Sequence, residues 1–429
     1  EDYETPADLV AALRGWTNIQ NTDYDIEDYI SDGNNRDAFK DAWQPRLGFS
    51  YDLFADQRHV IFGGAGRAYD RNLFDYIALE QSKSTYPAYE RRFNAPGDPC
   101  TVDNVNCFDW DPSLYISENL YALIDDPDQG SEVNLINNDI KVPYSDQFSL
   151  GMRNTFAFWN NDWNTSASLV HIRSKDGIIF HLGNRRADGS FYYPGRTFGS
   201  GGFPGIPDTG LFDPPFKIPG FGSLILADNG VETRMNQFLL SIDKPYSRSS
   251  PWGVTFAYTY TDSEENRSEA AANDEHYVFD YPNLDDHPWV ESIGISKHRI
   301  VGTGIADFWG FTFSTKVVWS SPIAKNVLNC LEPVATGQDG CANGTFEAGY
   351  FDDADFFQWD LAVQKEWDTG TNLKLRVRAD VFNVTNNRNW RQFETFKGVN
   401  NSLNPNFGSH NDDITLPTRT FKLSFGLNW

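Results

Sequence analysis

Residues that could carry catalytic chemistry are few and scattered in this chain of 429 residues. The seven histidines form no HExxH pair, and no GxSxG, GxGxxG or GxxxxGK segment supplies a nucleophilic serine or a phosphate-binding loop. An enzyme would therefore need a serine or a carboxylate beside a lone histidine, for which His171 and His298 are the best placed. We expect a protein that is not an enzyme. The histidines stand at positions 59, 171, 181, 276, 287, 298 and 410.

An acidic cluster near the N-terminus imitates a calcium-binding loop. Five carboxylates follow one another within ten residues, but Asp28 stands at the sixth position, where an EF-hand requires glycine. We therefore predict a solvated acidic segment and no resident cofactor, with Ca²⁺ or Mg²⁺ at acidic outer loops as the alternative. The cluster consists of Asp23, Asp25, Glu27, Asp28 and Asp32.

The four cysteines form two close pairs, Cys100 with Cys107 and Cys330 with Cys341. Three pairings could be drawn, and closure within each pair costs the least chain entropy. A zinc site is the competing interpretation, but neither pair has CxxC spacing or a nearby histidine pair. The spacing predicts two local disulfides, which require an oxidising compartment and hence export.

One segment concentrates aromatic rings on a backbone rich in glycine and proline, from Phe191 to Gly222. Such rings suit stacking on sugars or holding the apolar side chains of a peptide. They equally suit packing against neighbouring loops or a partner protein, so both interpretations stay open. The side chains predicted to contact a ligand are Tyr192, Tyr193, Phe198, Phe203 and, in a later loop, Trp390.

Eleven segments that alternate between apolar and polar residues must position these loops. In Asn372 to Val384, Leu375 and Val377 alternate with Arg376 and Arg378, and the same period of two continues to the C-terminal Trp429. Exposing the apolar face of each segment to water would cost free energy, and so would burying its polar face in lipid. This pattern predicts a transmembrane antiparallel β-barrel, with one face toward lipid and one toward a polar lumen.

The connections between the segments alternate between short and long. Bacterial barrels have short periplasmic turns and long extracellular loops, and a periplasmic C-terminus places every connection on the side that its length requires. Residues 1–42 then form an extracellular segment, and residues 43–429 the barrel. Long loops are expected at about 70–142, 180–230, 262–296, 321–355 and 386–416. Short turns are expected at Ala55 to Gln57, Trp159 to Asp162, Ser247 to Ser250, Phe308 to Gly310 and Asp368 to Thr371.

The net charge of -25 resides in the predicted outer loops. Residues 1–42, 98–140 and 262–291 carry net charges of -8, -10 and -9, so the remainder is close to neutral. Such a surface repels nucleic acid, which we exclude as a partner. It hydrates the surface, and it could attract a basic ligand or the divalent cations that bridge lipopolysaccharide. Glu1 to Arg14 has no features of a signal peptide, so we expect that a signal, or more of the N-terminus, has been removed.

Four segments resemble the barrel strands of Oar-like TonB-dependent outer-membrane receptors, and they occur in the order found in that family. They are Trp43 to Asp52, Val60 to Asp70, Val142 to Gly151 and Arg378 to Asn387, and the alternation ending at Trp429 resembles the family's terminal assembly signal. The resemblance implies a barrel of about 22 strands with an N-terminal plug domain that contacts TonB. No plug sequence occurs here, so we expect the C-terminal half of such a barrel.

The resemblance implies a receptor in the bacterial outer membrane that transports a large solute, a peptide or an oligosaccharide. Its partners would be the N-terminal barrel half with its plug, the TonB system through that half, and the surrounding lipid and lipopolysaccharide. An alternative is a barrel that anchors surface proteins on its outer loops, with little transport. A barrel enzyme is the third interpretation.

Overall fold

Eleven strands of one sheet follow one another in chain order, and each pairs antiparallel with the next. The computed structural model describes residues 3–20, 22, 24–36, 39–70, 73–85, 92–94, 107–124, 132–183, 218–222, 224–266, 289–333, 345–370 and 373–428. The strands are β1 Arg46–Asp52, β2 His59–Tyr69, β3 Tyr144–Phe158, β4 Asn161–Leu182, β5 Leu224–Lys244, β6 Trp252–Glu265, β7 His298–Phe308, β8 Phe311–Ser320, β9 Phe356–Asp368, β10 Lys374–Phe382 and β11 Thr420–Asn428. The predicted all-β fold with eleven wall strands is confirmed.

The register of the strands places apolar and polar side chains on opposite faces. Leu375 lies opposite Leu427 and Val377 opposite Phe425, and these apolar side chains point away from the charged face of the same strands. Phe425 keeps 70% of its surface exposed, although it is among the most apolar residues of the chain. Soluble proteins do not expose a continuous apolar surface of this size to water, so the apolar face requires a lipid environment.

Two of the short turns share a Phe-Trp sequence and a left-handed backbone. Trp159 and Asn160 join β3 to β4 with φ of 51° and 56°, and Trp309 and Gly310 join β7 to β8 with φ of 52° and 74°. Two residues at positive φ match the right-handed twist of the paired strands. The two tryptophans remain 78% and 81% exposed, as expected for aromatic side chains at the boundary between membrane and water.

The sheet does not close on itself within the described residues. There, β1 pairs only with β2, and β11 pairs only with β10. The outer edge of each strand therefore has backbone N–H and C=O groups that no described strand satisfies. This arrangement is consistent with part of a barrel wall.

A folded lobe stands on the loop end of β4 and β5. Residues Val133–Ile136 form a short strand parallel to the first residues of β5. Helix α1, Ala7–Gly15, packs on one side of this sheet through Leu9 and Leu13, which are fully buried against Leu224 and Leu226. Helix α2, Leu73–Thr85, packs on the other side, where Tyr76 contacts Phe180. The sequence analysis predicted neither α1 nor the core that it covers. The acidic residues Asp25, Glu27, Asp28 and Asp32 stay exposed beside that core.

The two strands change character at an irregular point below the lobe. The pairing of β4 with β5 shifts register between Ser174 and Gly177 and again between Gly177 and Ile178, and Asp176 has φ of 58°. The Asn229 side chain donates to the Asp176 carbonyl at 2.6 Å. Beyond this bulge Ile178, Ile179 and Phe180 are all buried, whereas the wall below alternates.

Two outer loops fold together into a second sheet. Its four strands, in spatial order, are Thr345–Gly349, Lys325–Cys330, Phe396–Val399 and Ser402–Leu403. The remaining short elements are helix α3, Ser117–Ile124, the pair Arg92–Phe93 with Cys107–Phe108, Val290–Glu291 beside β6, and 3₁₀ turns at Thr17–Ile19, Ile26–Asp28 and Pro112–Tyr115. Among the helices in the described part of the chain, none has the length and apolarity to cross a membrane.

Candidate functional site

The polar face of β8 to β11 is the surface that a solute or an internal domain would meet. Lys316 lies opposite Asp360, and Glu366 lies opposite Arg376. Asp380 lies opposite Lys422 on the neighbouring strand. The residues for which the sequence predicted a luminal position thus share one face: Asp360, Glu366, Lys374, Arg376, Arg378 and Asp380.

Some of these charges neutralise one another within the wall. The Arg378 guanidinium donates to Asp380 at 2.8 Å, and Lys374 lies 3.2 Å from Glu366. Asp360 accepts from the Gln358 amide and from the backbone N–H of Asn383, each at 2.9 Å. These carboxylates are thus held in place by the protein itself.

Other cations on the same face form no ion pair with another described residue. Lys422 and Arg376 line a cleft of about 440 Å³ together with Arg378 and Asp380. Arg376 lies across Gly426, where an added Cβ would stand 3.4 Å from its Nε. The cleft therefore presents more positive than negative charge and can bind anionic groups.

The predicted ligand-contact aromatics fall into two groups. Tyr192, Tyr193, Phe198 and Phe203 lie outside the described residues. Trp390 is described, and it stacks on His410 with ring centroids 3.7 Å apart and planes inclined by 11°. The Arg388 guanidinium also lies over this ring, 5.7 Å from its centroid, and the ligand-binding role of Trp390 stays a prediction.

The cysteine pairs are described only in part. Cys330 is fully buried and disulfide-bonded. Cys100 and Cys341 lie outside the described residues, and the backbone of Cys107 pairs with Arg92 in a short strand. The predicted pairings of Cys100 with Cys107 and of Cys330 with Cys341 therefore stay predictions.

Two carboxylates of the acidic cluster near the N-terminus accept hydrogen bonds from nearby residues of the same segment. The Arg14 guanidinium donates twice to Glu27, at 2.7 and 2.8 Å, and lowers the pKa of that carboxyl. Asp25 accepts from the backbone N–H of Glu27 at 3.0 Å. In the described ranges no three His, Cys, Asp or Glu residues gather as metal ligands. Divalent cations at the outer loops stay a prediction.

The two histidines considered for an enzyme have partners of another kind. His171 Nδ1 lies 2.8 Å from the side-chain oxygen of Asn236, and His298 Nδ1 lies 2.8 Å from the Tyr258 hydroxyl. Neither partner is a serine or a carboxylate. This geometry does not supply the nucleophile and base that hydrolysis requires.

Sequence analysis missed the ion pair that holds the lobe together. Arg36 donates through Nη2 to Glu80 at 2.8 Å and to the Ile136 carbonyl at 2.9 Å. Glu80 also accepts from the Ile136 N–H at 3.0 Å, and its side chain is fully buried. No sequence signal joins Arg36 and Glu80, which are 44 positions apart and lie in two different predicted outer segments.

Comparisons with known proteins agree with this geometry. Residues 17–329 match the family described as "Outer membrane beta barrel domain". No curated protein matches the chain.

Several solved structures are similar to this chain at low sequence identity. The outer membrane transporter YddB from Escherichia coli has a TM-score of 0.50 and 14% identity, over 90% of this chain and 40% of that one. The ferric enterobactin receptor PfeA from Pseudomonas aeruginosa has a TM-score of 0.44 and 13% identity, over 89% of this chain and 40% of that one. The siderophore receptor PiuA from Acinetobacter baumannii has a TM-score of 0.42 and 11% identity, over 89% and 35%. This chain thus spans less than half the length of these structures.

Proposed function

Because this chain belongs to the outer membrane beta barrel domain family, we propose that it forms part of the wall of a TonB-dependent receptor that imports a large solute. The bacterial outer membrane is its location. The observation that carries the proposal is a sheet of eleven wall strands with one apolar and one charged face and with both edges unpaired among the described residues. Such a sheet suits a wall segment of a wide, water-filled barrel better than a small closed one.

The unpaired edges support a larger assembly. In lipid each unsatisfied backbone N–H or C=O costs several kcal/mol, so an open edge does not persist there. We infer that further strands, with a plug domain, come from another segment of the same polypeptide or from a second chain. A peptide or an oligosaccharide is the solute class that we propose from the aromatic segment after Phe191.

We expect purified particles to contain those strands. Mass spectrometry of the protein extracted in mild detergent should find either a polypeptide longer than 429 residues or a second fragment that co-migrates on native gels. Denaturing gels then distinguish the two. If the 429 residues alone refold into a closed, protease-resistant barrel, the partial-wall proposal is wrong.

Uptake by intact cells tests the transport function. Cells that lack this protein should fail to deplete one class of solute from a defined mixture of peptides and oligosaccharides. Collapse of the inner-membrane proton gradient should have the same effect in the parent cells.

A pair of substitutions tests the cleft. Arg376→Gln with Lys422→Gln should slow depletion of the solute, because the cleft would lose two of the cations that contact solute or plug. Lys365→Gln, on the apolar face beside Phe311, is the matched control. Unchanged depletion in the deletion strain would refute the proposal.

A docking role is the second candidate, and one surface favours it. Trp110, Tyr115 and Tyr121 are 49%, 82% and 64% exposed around α3, among carboxylates such as Asp111 and Glu118. Exposed aromatic side chains of this kind are typical of protein interfaces. This role predicts a tightly bound surface protein and a function that survives loss of the proton gradient.

A further inference from the structure

One row of charged side chains crosses five strands on the apolar face of the wall, near the loop end. Arg67 on β2 lies opposite Asp146 on β3, which lies opposite Arg173 on β4. Arg173 lies opposite Arg234 on β5, which lies opposite Glu264 on β6. These five residues are here called the outer row. Going from the short turns toward the long loops, it is the first row on the apolar face in which neighbouring strands all carry a charged residue.

The position of the outer row along the membrane normal follows from the strand geometry. Asp146 precedes Phe156, the apolar residue near the short turn, by ten positions on β3. At about 3.4 Å per residue and a tilt of about 45°, ten residues span about 24 Å along the normal. The apolar band of an outer-membrane barrel is about 25 Å tall. The outer row therefore lies at the level of the lipid headgroups of the outer leaflet.

An apolar groove lies directly below the outer row. Its cavity of about 670 Å³ is lined by exposed side chains of β1, β3 and β4, including Leu47, Phe49, Phe148 and Leu169. The small side chain of Ala65 lies between the larger ones. His171 and Asn236, two residues below Arg173 and Arg234 on the same face, close its upper end. The groove has the polarity that an acyl chain requires.

The outer row holds its guanidinium groups in place but leaves many donors unused. Arg173 and Arg234 face each other, an arrangement that is unfavourable for like charges. Arg173 donates once to Glu232, at 3.0 Å, and Arg234 once to Glu264. Since a guanidinium has five N–H groups, four on each remain without a partner among the described residues.

Aromatic rings fix two of these guanidinium groups. Arg234 lies 4.2 Å from the ring centroid of Trp289, and Arg67 lies 4.2 Å from that of Tyr144. Arg67 also donates to both Asp146 oxygens, at 2.7 and 2.8 Å. The donors are thus presented in a fixed geometry, which lowers the entropic cost of binding an anion.

We propose that Arg173 and Arg234 bind a phosphate group of outer-leaflet lipopolysaccharide, with one of its acyl chains in the groove below. Asp146, Glu232 and Glu264 balance the charge of the three arginines, each of which is paired with one of them, so these residues do not attract free phosphate from solution. A ligand that also fills the groove gains the apolar burial that a free ion lacks. The proposal rests on the outer-membrane location and on no assumption about the imported solute.

Native mass spectrometry of the full-length protein or complex, extracted from outer membranes and mixed with purified lipid A, tests this proposal. Bisphosphorylated lipid A should bind, and Arg173→Gln with Arg234→Gln should weaken it by about tenfold or more, because at least one charge-assisted contact is lost. The matched control, Arg153→Gln with Arg299→Gln, removes two arginines from the polar face of the same sheet and should bind as the parent does.

Two further probes separate the components of the site. Dephosphorylated lipid A should bind the parent and the Arg173/Arg234 double variant equally, and inorganic phosphate should not displace bound lipid. Leu169→Trp, which fills the groove, should weaken both lipids. Equal binding of bisphosphorylated lipid A by the parent and the double variant, with both assembled, would overturn the proposal. Because no solute enters this assay, its outcome is independent of the uptake experiment.

Discussion

Leu361→Arg should impair assembly of the wall by about 2–4 kcal/mol, the cost of an arginine on the lipid face near the bilayer midplane. Leu361 lies on the interior strand β9 between Thr315 and Val381, halfway between the Phe311 and Trp319 rows. We expect a smaller folded fraction on heat-modifiability gels and a lower free energy of unfolding.

The same substitution closer to the short turns should be milder. Phe425 and Val377 lie in the row of Lys365, whose Nζ is 4.4 Å from the Phe311 ring centroid. A cation already resides at that level, where its stem can reach the headgroup region. Phe425→Arg should thus cost less than Leu361→Arg, and Arg376→Leu on the polar face should be nearly neutral. Equal tolerance of charge on both faces would contradict the face assignment.

Glu80→Ala should loosen the lobe by about 3–5 kcal/mol, because Arg36 would keep its charge in a largely buried position with no carboxylate to balance it. The Arg36 side chain is only 18% exposed, and it spans from α2 to the strand that contains Ile136. Faster amide hydrogen exchange in α1 and in Val133–Ile136 should report the change, while exchange in β9 and β10 stays as in the parent.

Two controls make this result specific. Arg36→Met with Glu80→Leu removes both charges and should restore much of the protection. Arg14→Gln breaks the ion pair with Glu27, whose side chains are about half exposed, and should have little effect. If Glu80→Ala leaves exchange in α1 unchanged, the ion pair does not hold the lobe together.

The wall could be predicted because lipid imposes a strict period of two on a sheet with one wet face. Leu375, Val377 and their partners on β11 follow that period without exception, so strand positions and faces followed from residue type alone. The Phe-Trp turns were visible as short gaps for the same reason. The exposed aromatic surface confirms the face assignment.

The lobe and the second sheet could not be predicted because local pattern does not determine them. Helix α1 buries only Leu9 and Leu13 of its nine residues, so its apolar stripe was too narrow to stand out. The strand Lys325–Cys330 pairs in parallel with Phe396–Val399, a contact between two separate loops. Such pairings depend on where the wall brings the loops together.

The bulge at Asp176 separates two environments along β4 and β5, the membrane wall below it and the protein core of the lobe above it. Below it, alternate side chains meet lipid and water, and a single insertion or deletion would exchange those two sides. Above it, consecutive residues such as Ile178 and Ile179 are both buried by protein, so the alternation of apolar and polar residues seen in the wall no longer applies. Each strand contributes one extra residue across this point, which keeps the pairing in step on both sides of it. The wall and the lobe can therefore accept substitutions under different rules, one set by the membrane and the other by a protein core, within the same continuous hairpin.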